Sequence, residues 1–214
     1  MTDDLQEARN DMVLKQLLHR GIRNPRVLDA MRKVPRERFL PPSQRDRAYA
    51  DQALPVDCQQ TISQPYIVAL MTEAMELDGE QRVLEVGTGT GYQTAILAEL
   101  AREVVTIERH AALSEQAARV LNELGYRNIE ARVGDGTLGC PERAPFDAVM
   151  VTAAASRCPP ALFEQLREGG VLVIPLGGRD VQTLEAVCKV GGAPESESLS
   201  ACRFVPLIGE QGWH

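Results

Sequence analysis

The chain has 214 residues, of which 44% are hydrophobic, 25% charged and only 4% aromatic, enough for one aliphatic core that buries roughly 70% of the unfolded surface without disulfide or metal staples. A formal net charge of −7 with no long Lys/Arg run argues against a nucleic-acid partner. No run of about 18 apolar residues suggests a membrane span, and the acidic start Met1-Thr2-Asp3-Asp4 is unlike a secretory leader.

Residues 3 to 20 predict an amphipathic helix with Leu5, Ala8, Met12 and Leu17 on one side and Gly21 as its stop. Asn24-Pro25 reads as an N-cap followed by proline in the first turn, opening a helix through Arg32. Residues 34 to 62, broken by Pro35, Pro41, Pro42 and Pro55, predict a mostly irregular segment, and one that long is usually functional or wraps the core. Ser63 is expected to cap a helix carrying Pro65, with Ile67, Leu70, Met71, Ala74 and Leu77 as its buried stripe.

From residue 82 strands and helices alternate. Strands are expected at 82–86, 104–107, 129–133, 146–151 and 170–174. The helices between them lie near 92–101, up to Leu124, and from Pro160 to Leu166. This pattern predicts an α/β fold: a doubly wound, mostly parallel Rossmann-like sheet with helices on both faces. Segments near 182–190 and 202–208 are expected to complete the sheet as a hairpin-like addition. We expect a single domain over 1–214, with residues 1–62 as a helical and irregular extension and 63–214 as the core. Five dispersed cysteines (Cys58, Cys140, Cys158, Cys188, Cys202) read as reduced thiols in a cytoplasmic protein. His19, His110 and His214 have no metal-ligand spacing, so no metal site is expected.

The run Val83-Leu84-Glu85-Val86-Gly87-Thr88-Gly89-Thr90-Gly91 reads as strand, glycine turn and helix start. Ligands of open α/β sheets bind at such carboxyl ends. A dinucleotide site prefers G-x-G-x-x-G with a pyrophosphate on the helix N-terminus. Here the glycines run G-x-G-x-G, and Glu85 would repel a phosphate while favouring a cationic amino-acid end. That points to S-adenosyl-L-methionine rather than NAD. Glu108 ends the second strand about 20 residues on, where such folds place an acid for ribose hydroxyls. Asp135, in Gly134-Asp135-Gly136 after the third strand, could contact the adenine amino group or simply form a turn.

The sequence resembles the protein-L-isoaspartate (D-aspartate) O-methyltransferase family from about residue 10 to 213. The resemblance is carried by Val34-Pro35-Arg36-Glu37-Arg38-Phe39, Tyr49-Ala50-Asp51, the glycine turn, Gly134-Asp135-Gly136, Ala153-Ala154-Ala155 and Phe204-Val205-Pro206-Leu207, and above all by Gln60-Thr61-Ile62-Ser63-Gln64-Pro65. It implies a methyltransferase sheet with rearranged last strands and an active-site serine at Ser63. It also implies cofactor contacts from Thr61, Glu85, Gly87, Thr88, Gly89, Glu108, Asp135 and Gly136, and substrate contact from Ser63 and the backbone around Thr152, Ala153 and Ala154. The 204–207 segment is expected to help close the substrate cleft. Asp57 and Gln59 stand in a loop where the family usually has glycines, and Thr152 where it more often has one.

The activity so implied is repair: methyl transfer to the free carboxylate of L-isoaspartyl and D-aspartyl residues in damaged proteins and peptides, by a monomer without nucleic-acid or membrane partners. A carboxyl group is already ionised at neutral pH, so no general base is called for. Ser63 is then a carboxylate holder rather than a nucleophile. Alternatives are a relative acting on an aspartate of a biosynthetic peptide, a methyltransferase for RNA or a small molecule, a dinucleotide oxidoreductase, or a non-catalytic cofactor-binding module.

Overall fold

Seven strands form one sheet in the computed structural model, which describes residues 2–214: β1 (Arg82–Val86), β2 (Glu103–Glu108), β3 (Ile129–Val133), β4 (Phe146–Val151), β5 (Leu166–Gly177), β6 (Gln182–Val190) and β7 (Ala193–Cys202). Their order across the sheet is 3-2-1-4-5-6-7. The first five run parallel, and β6 and β7 follow as an antiparallel meander. The inner parallel strands are near-continuous apolar runs because both their faces are covered. Val83, Val104, Ala148 and Met150 face one core, and Leu84, Val86, Val105, Val149 and Val151 face the other.

The first core is the larger. It takes up α2 (Pro25–Lys33), α3 (Pro65–Glu73) and α4 (Tyr92–Leu100), and also Leu121 of α5 (Ala111–Glu123). The second is roofed by Phe146, Leu166 and Leu162 of the short α6 (Pro160–Glu164). Helices thus cover both faces, unequally.

The N-terminal extension is helical from Thr2, as α1 (Thr2–Asp11), a wide π turn over Met12–Leu17 and a 3-10 turn over Leu18–Arg20. The five-residue step from Met12 to Leu17 suits an i→i+5 turn, which lets both side chains bury in one core. Gly21 ends it at φ 102, a conformation that costs glycine nothing. Asn24 caps α2 by accepting the Arg26 N–H at 3.0 Å, with Pro25 opening the helix. Residues 34 to 62 are irregular apart from 3-10 turns and the two-residue pairing of Leu54–Pro55 with Thr61–Ile62. Arg9 ties α1 to this stretch by pairing with Glu37 at 3.2 Å and donating to the Tyr49 hydroxyl at 2.7 Å.

Four expectations are corrected. Ser63 does not cap α3: Pro65 occupies the first helical position, so the cap falls on Gln64, which makes no side-chain capping bond. The buried face of α3 includes Val68, Ala69 and Thr72, which the expected stripe left out. The helix begun at Pro160 ends at Glu164, because Leu166 is drawn into β5 opposite Phe146. Residues 203–208 form no strand. The outermost strand is instead β7, whose Pro194-Glu195-Ser196-Glu197-Ser198 run is polar and exposed and so carries no hydrophobic period. The segment after it crosses the carboxyl ends of the sheet, touching Ala154 through Pro206. No helix among the described residues is long and apolar enough to cross a membrane.

Replacing Asn24 with Ala removes the α2 cap, and about 1 kcal/mol of stability should go with it. Urea unfolding at neutral pH measures the loss.

Candidate active site

The sequence order of neighbouring strands reverses between β1 and β4, and a cleft of about 640 Å³ opens above their carboxyl ends. Its floor is the glycine turn after β1. Gly87 has φ 99, and a Cβ there would sit 2.2 Å from Thr152 Oγ1. Gly89 has φ 53 with nothing within 4 Å of its missing Cβ, so its backbone is bare to an incoming group. Thr152, directly after β4, donates from its hydroxyl to the Gly87 carbonyl at 2.7 Å, stitching the two strand ends together.

Glu108 is the acid of this cleft. It ends β2, is 5% exposed, and accepts the Gly89 N–H at 2.9 Å and the His110 N–H at 2.9 Å, one on each oxygen. The two bonds fix the carboxylate in the cleft wall, and each oxygen keeps a lone pair for a further donor. This donor-hungry acid beside a bare glycine backbone fits the ribose end of an adenosyl group.

Glu85 has a different setting. Along β1 it shares the face of Val83, so it points under α4 and does not line the cleft. Its Oε2 accepts from Thr94 at 2.5 Å and Thr106 at 2.6 Å, and the Thr106 hydroxyl meets that of Thr88 at 2.6 Å. Oε1 is buried without a partner. Burial pushes the carboxyl up to about 8; the threonine bonds offset part of this and Glu108 adds to it.

Asp135 also lies off the cleft. It accepts from the N–H and hydroxyl of Thr137 and, at 2.7 Å, from the N–H of Glu210. Burial pushes its carboxyl up, but these donors outweigh it and hold the group below the usual carboxylate range. It anchors the end of the chain across the cleft, where Phe204, Val205, Pro206 and Leu207 form a wall. Leu207 and Trp213 both donate to the Ala154 carbonyl, so Ala154 braces that wall from behind while Ala153 lines the cleft.

Thr61, Ser63, Gly87, Thr88, Gly89, Glu108, Gly136, Thr152 and Ala153 are therefore brought to one cleft, and Glu85, Asp135 and Ala154 lie behind its walls. Several lining residues had been assigned no site role: Cys58, Gln59, Tyr92, Gln93, Arg109 and His110. Arg109 and His110 follow Glu108 directly, so the strand end alone could have flagged them. Cys58 and Gln59 take left-handed backbone, φ 55 and φ 57. This loop thus takes a glycine-like path without glycine, at roughly 1–2 kcal/mol per residue.

Comparison with known proteins bears on this cleft. The family model described as protein-L-isoaspartate(D-aspartate) O-methyltransferase matches residues 8–212. A protein-L-isoaspartate O-methyltransferase of Syntrophus aciditrophicus is 52% identical over 100% of this chain and 99% of its own. That of Dictyoglomus turgidum is 56% identical over 92% of this chain and 90% of its own. The chain belongs to the protein-L-isoaspartate(D-aspartate) O-methyltransferase family.

A solved protein-L-isoaspartate O-methyltransferase superposes with a TM-score of 0.84 at 30% identity, covering 95% of this chain and 67% of that one. A putative one from Plasmodium falciparum, solved in complex with S-adenosyl-L-homocysteine, has the same fold at 24% identity, with a TM-score of 0.81 over 94% of this chain and 98% of its own. Membership carries the family's activity, methyl transfer from S-adenosyl-L-methionine to the free carboxylate of isoaspartyl residues in damaged proteins.

The buried carboxyl of Glu85 gives a pH signature. It is protonated in the folded protein at neutral pH and ionised in the unfolded chain, so folding takes up a proton. Its contribution to stability is full below pH 4.5 and is lost as pH rises toward about 8. Glu85→Gln should flatten that decline; urea midpoints on either side of the window, for native and variant, measure it.

Proposed function

We propose that Ser63 and the backbone at the start of α3 hold the substrate carboxylate, and that Glu108, Thr88 and the Gly87–Gly89 turn hold the methyl donor. The observation that carries this is the single cleft shared by Ser63, Glu108 and the bare Gly89 backbone. S-adenosyl-L-methionine supplies a methyl carbon on a sulfonium whose bonding electron pair departs with sulfur as a neutral thioether. The acceptor oxygen is already anionic, so no residue of the chain has to remove a proton. No histidine hydrogen-bonds the Ser63 hydroxyl among the described residues, in keeping with a holder rather than a nucleophile. The chain's task is alignment and exclusion of water, a placement effect worth up to about 7–11 kcal/mol in the best cases.

Glu85 and Asp135 enter this proposal as supports. Glu85 ties β1 to α4 through Thr94 and to β2 through Thr106, and Asp135 holds the closing segment in place. Ala154 does the same by its carbonyl. Thr61, Gly136, Thr152 and Ala153 shape the wall against donor and peptide. The proposal extends to a cytoplasmic monomer of one domain, with residues 1–62 as its extension. Its substrates are isoaspartyl proteins and peptides, and neither nucleic acid nor membrane is a partner.

Transfer of labelled methyl to an isoaspartyl peptide, against the normal aspartyl peptide as control, tests the substrate. In that assay Ser63→Ala should lose roughly 10- to 100-fold in turnover, the worth of one hydrogen bond to a charged group, while cofactor affinity holds. Full activity in that variant ends the Ser63 assignment. Glu108→Ala should weaken cofactor binding about tenfold or more in calorimetry; unchanged affinity ends the ribose role.

A further inference from the structure

Among the buried polar groups, Arg36 alone is a cation with no described carboxylate beside it. It is 0% exposed and appears in none of the ion pairs of the described residues. The other buried arginine, Arg9, is paired with Glu37. Arg36 Nε donates to the Ala48 carbonyl at 2.7 Å and Nη2 to the Ser63 carbonyl at 2.8 Å, while Nη1 finds no hydrogen-bond partner. Its guanidinium lies 4.8 Å from the centre of the Tyr92 ring, and Tyr92 lines the cleft. Burial pulls its pKa down to about 10, so it stays charged at neutral pH.

A buried cation without an anion is costly, and proteins usually pair such groups. The missing anion has a natural place. Arg36 sits behind Ser63, which lines the cleft and whose carbonyl is turned onto the guanidinium. That arrangement keeps the negative end of a peptide dipole away from a pocket that must accept a carboxylate. The next residue is gripped as well: the Gln64 amide donates to Asp51 Oδ1 at 2.7 Å. The 48–51 segment thus fixes Ser63 and Gln64 from behind.

We infer that Arg36 is the positioning residue and countercharge of the carboxylate subsite, acting through the Ser63 carbonyl without touching the substrate. The inference rests on the Ser63 reading above. Placement one residue back suits the chemistry. Methylation turns an anion into a neutral ester, so a guanidinium bonded directly to the acceptor would stabilise reactant over transition state. Held behind Ser63, the charge attracts the acid and leaves its oxygen free to react.

The test measures Kd, with S-adenosyl-L-homocysteine bound, for an isoaspartyl peptide and for its counterpart whose free carboxylate is a carboxamide. Native enzyme, Arg36→Lys and Arg36→Met are compared. Native enzyme should prefer the carboxylate. Arg36→Met should lose about tenfold or more of that preference. Arg36→Lys should retain most of it, and in methyl transfer the KM of the Met variant should rise more than its kcat falls. If Arg36→Met weakens both peptides alike, Arg36 is merely structural and the inference is overturned. Should the variants not fold, the Arg36 Nε–H resonance of the native enzyme serves instead. It should shift with the carboxylate peptide and not with the carboxamide; equal shifts, or none, overturn the inference. Native enzyme that leaves the isoaspartyl peptide unmethylated removes the Ser63 reading and this inference together. Methylation with no dependence on Arg36 removes the inference alone.

Discussion

Parallel pairing of β1 with β2 on one side and β4 on the other is the constraint from which the active cleft follows. In that register Val86 stands beside Ile107 and Val151, so three strands end together. Everything chemical then collects in the turns that leave those ends: the glycine turn, the Glu108-Arg109-His110 corner and the Thr152-Ala153 step. The bond from Gly89 N–H to Glu108 and that from Thr152 to Gly87 are possible only because the ends are level. Shift one strand by a residue and its side chains exchange faces.

The same alternation sorts the acids. Glu108 terminates its strand and is free to turn into the cleft. Glu85 lies one residue before the end of β1, on the helix side, and is spent on Thr94 and Thr106 beneath α4. Asp135 is spent on the N–H of Glu210. One of three acids that resemble one another in the chain thus faces the cleft, and the other two brace its floor and its far wall. Arg36 belongs to the same economy of charge, placed behind a backbone carbonyl rather than in the open.

Much of this was legible in the residues. β1, β3, β4 and β6 match their expected bounds to the residue; for β1 and β4 the reason is that a buried parallel strand must be apolar throughout and its ends are set by polar and turn residues. Asn24-Pro25 announced its helix for the same local reason. What escaped was long-range or low in contrast. β7 is too polar to show a period. The π turn after Asp11 depends on packing that sets Met12 and Leu17 side by side. The facing of Glu85 could have been read from Leu84 and Val86 flanking it on the opposite face, but the motif drew the eye to the turn. Nothing in Asp57-Cys58-Gln59 signals that two of the three adopt left-handed backbone.

The polar outer strand has a consequence for the company this enzyme keeps. Its clients are aged chains whose loosened segments expose unpaired main-chain groups in search of a ladder. A flat, greasy border on the sheet would recruit them as an eighth strand and turn each repair into a co-aggregation event. Pro194 near the start of β7, with Glu195 and Glu197 along it, makes that border unwelcoming. The outer edge of β7 is thereby closed to client strands.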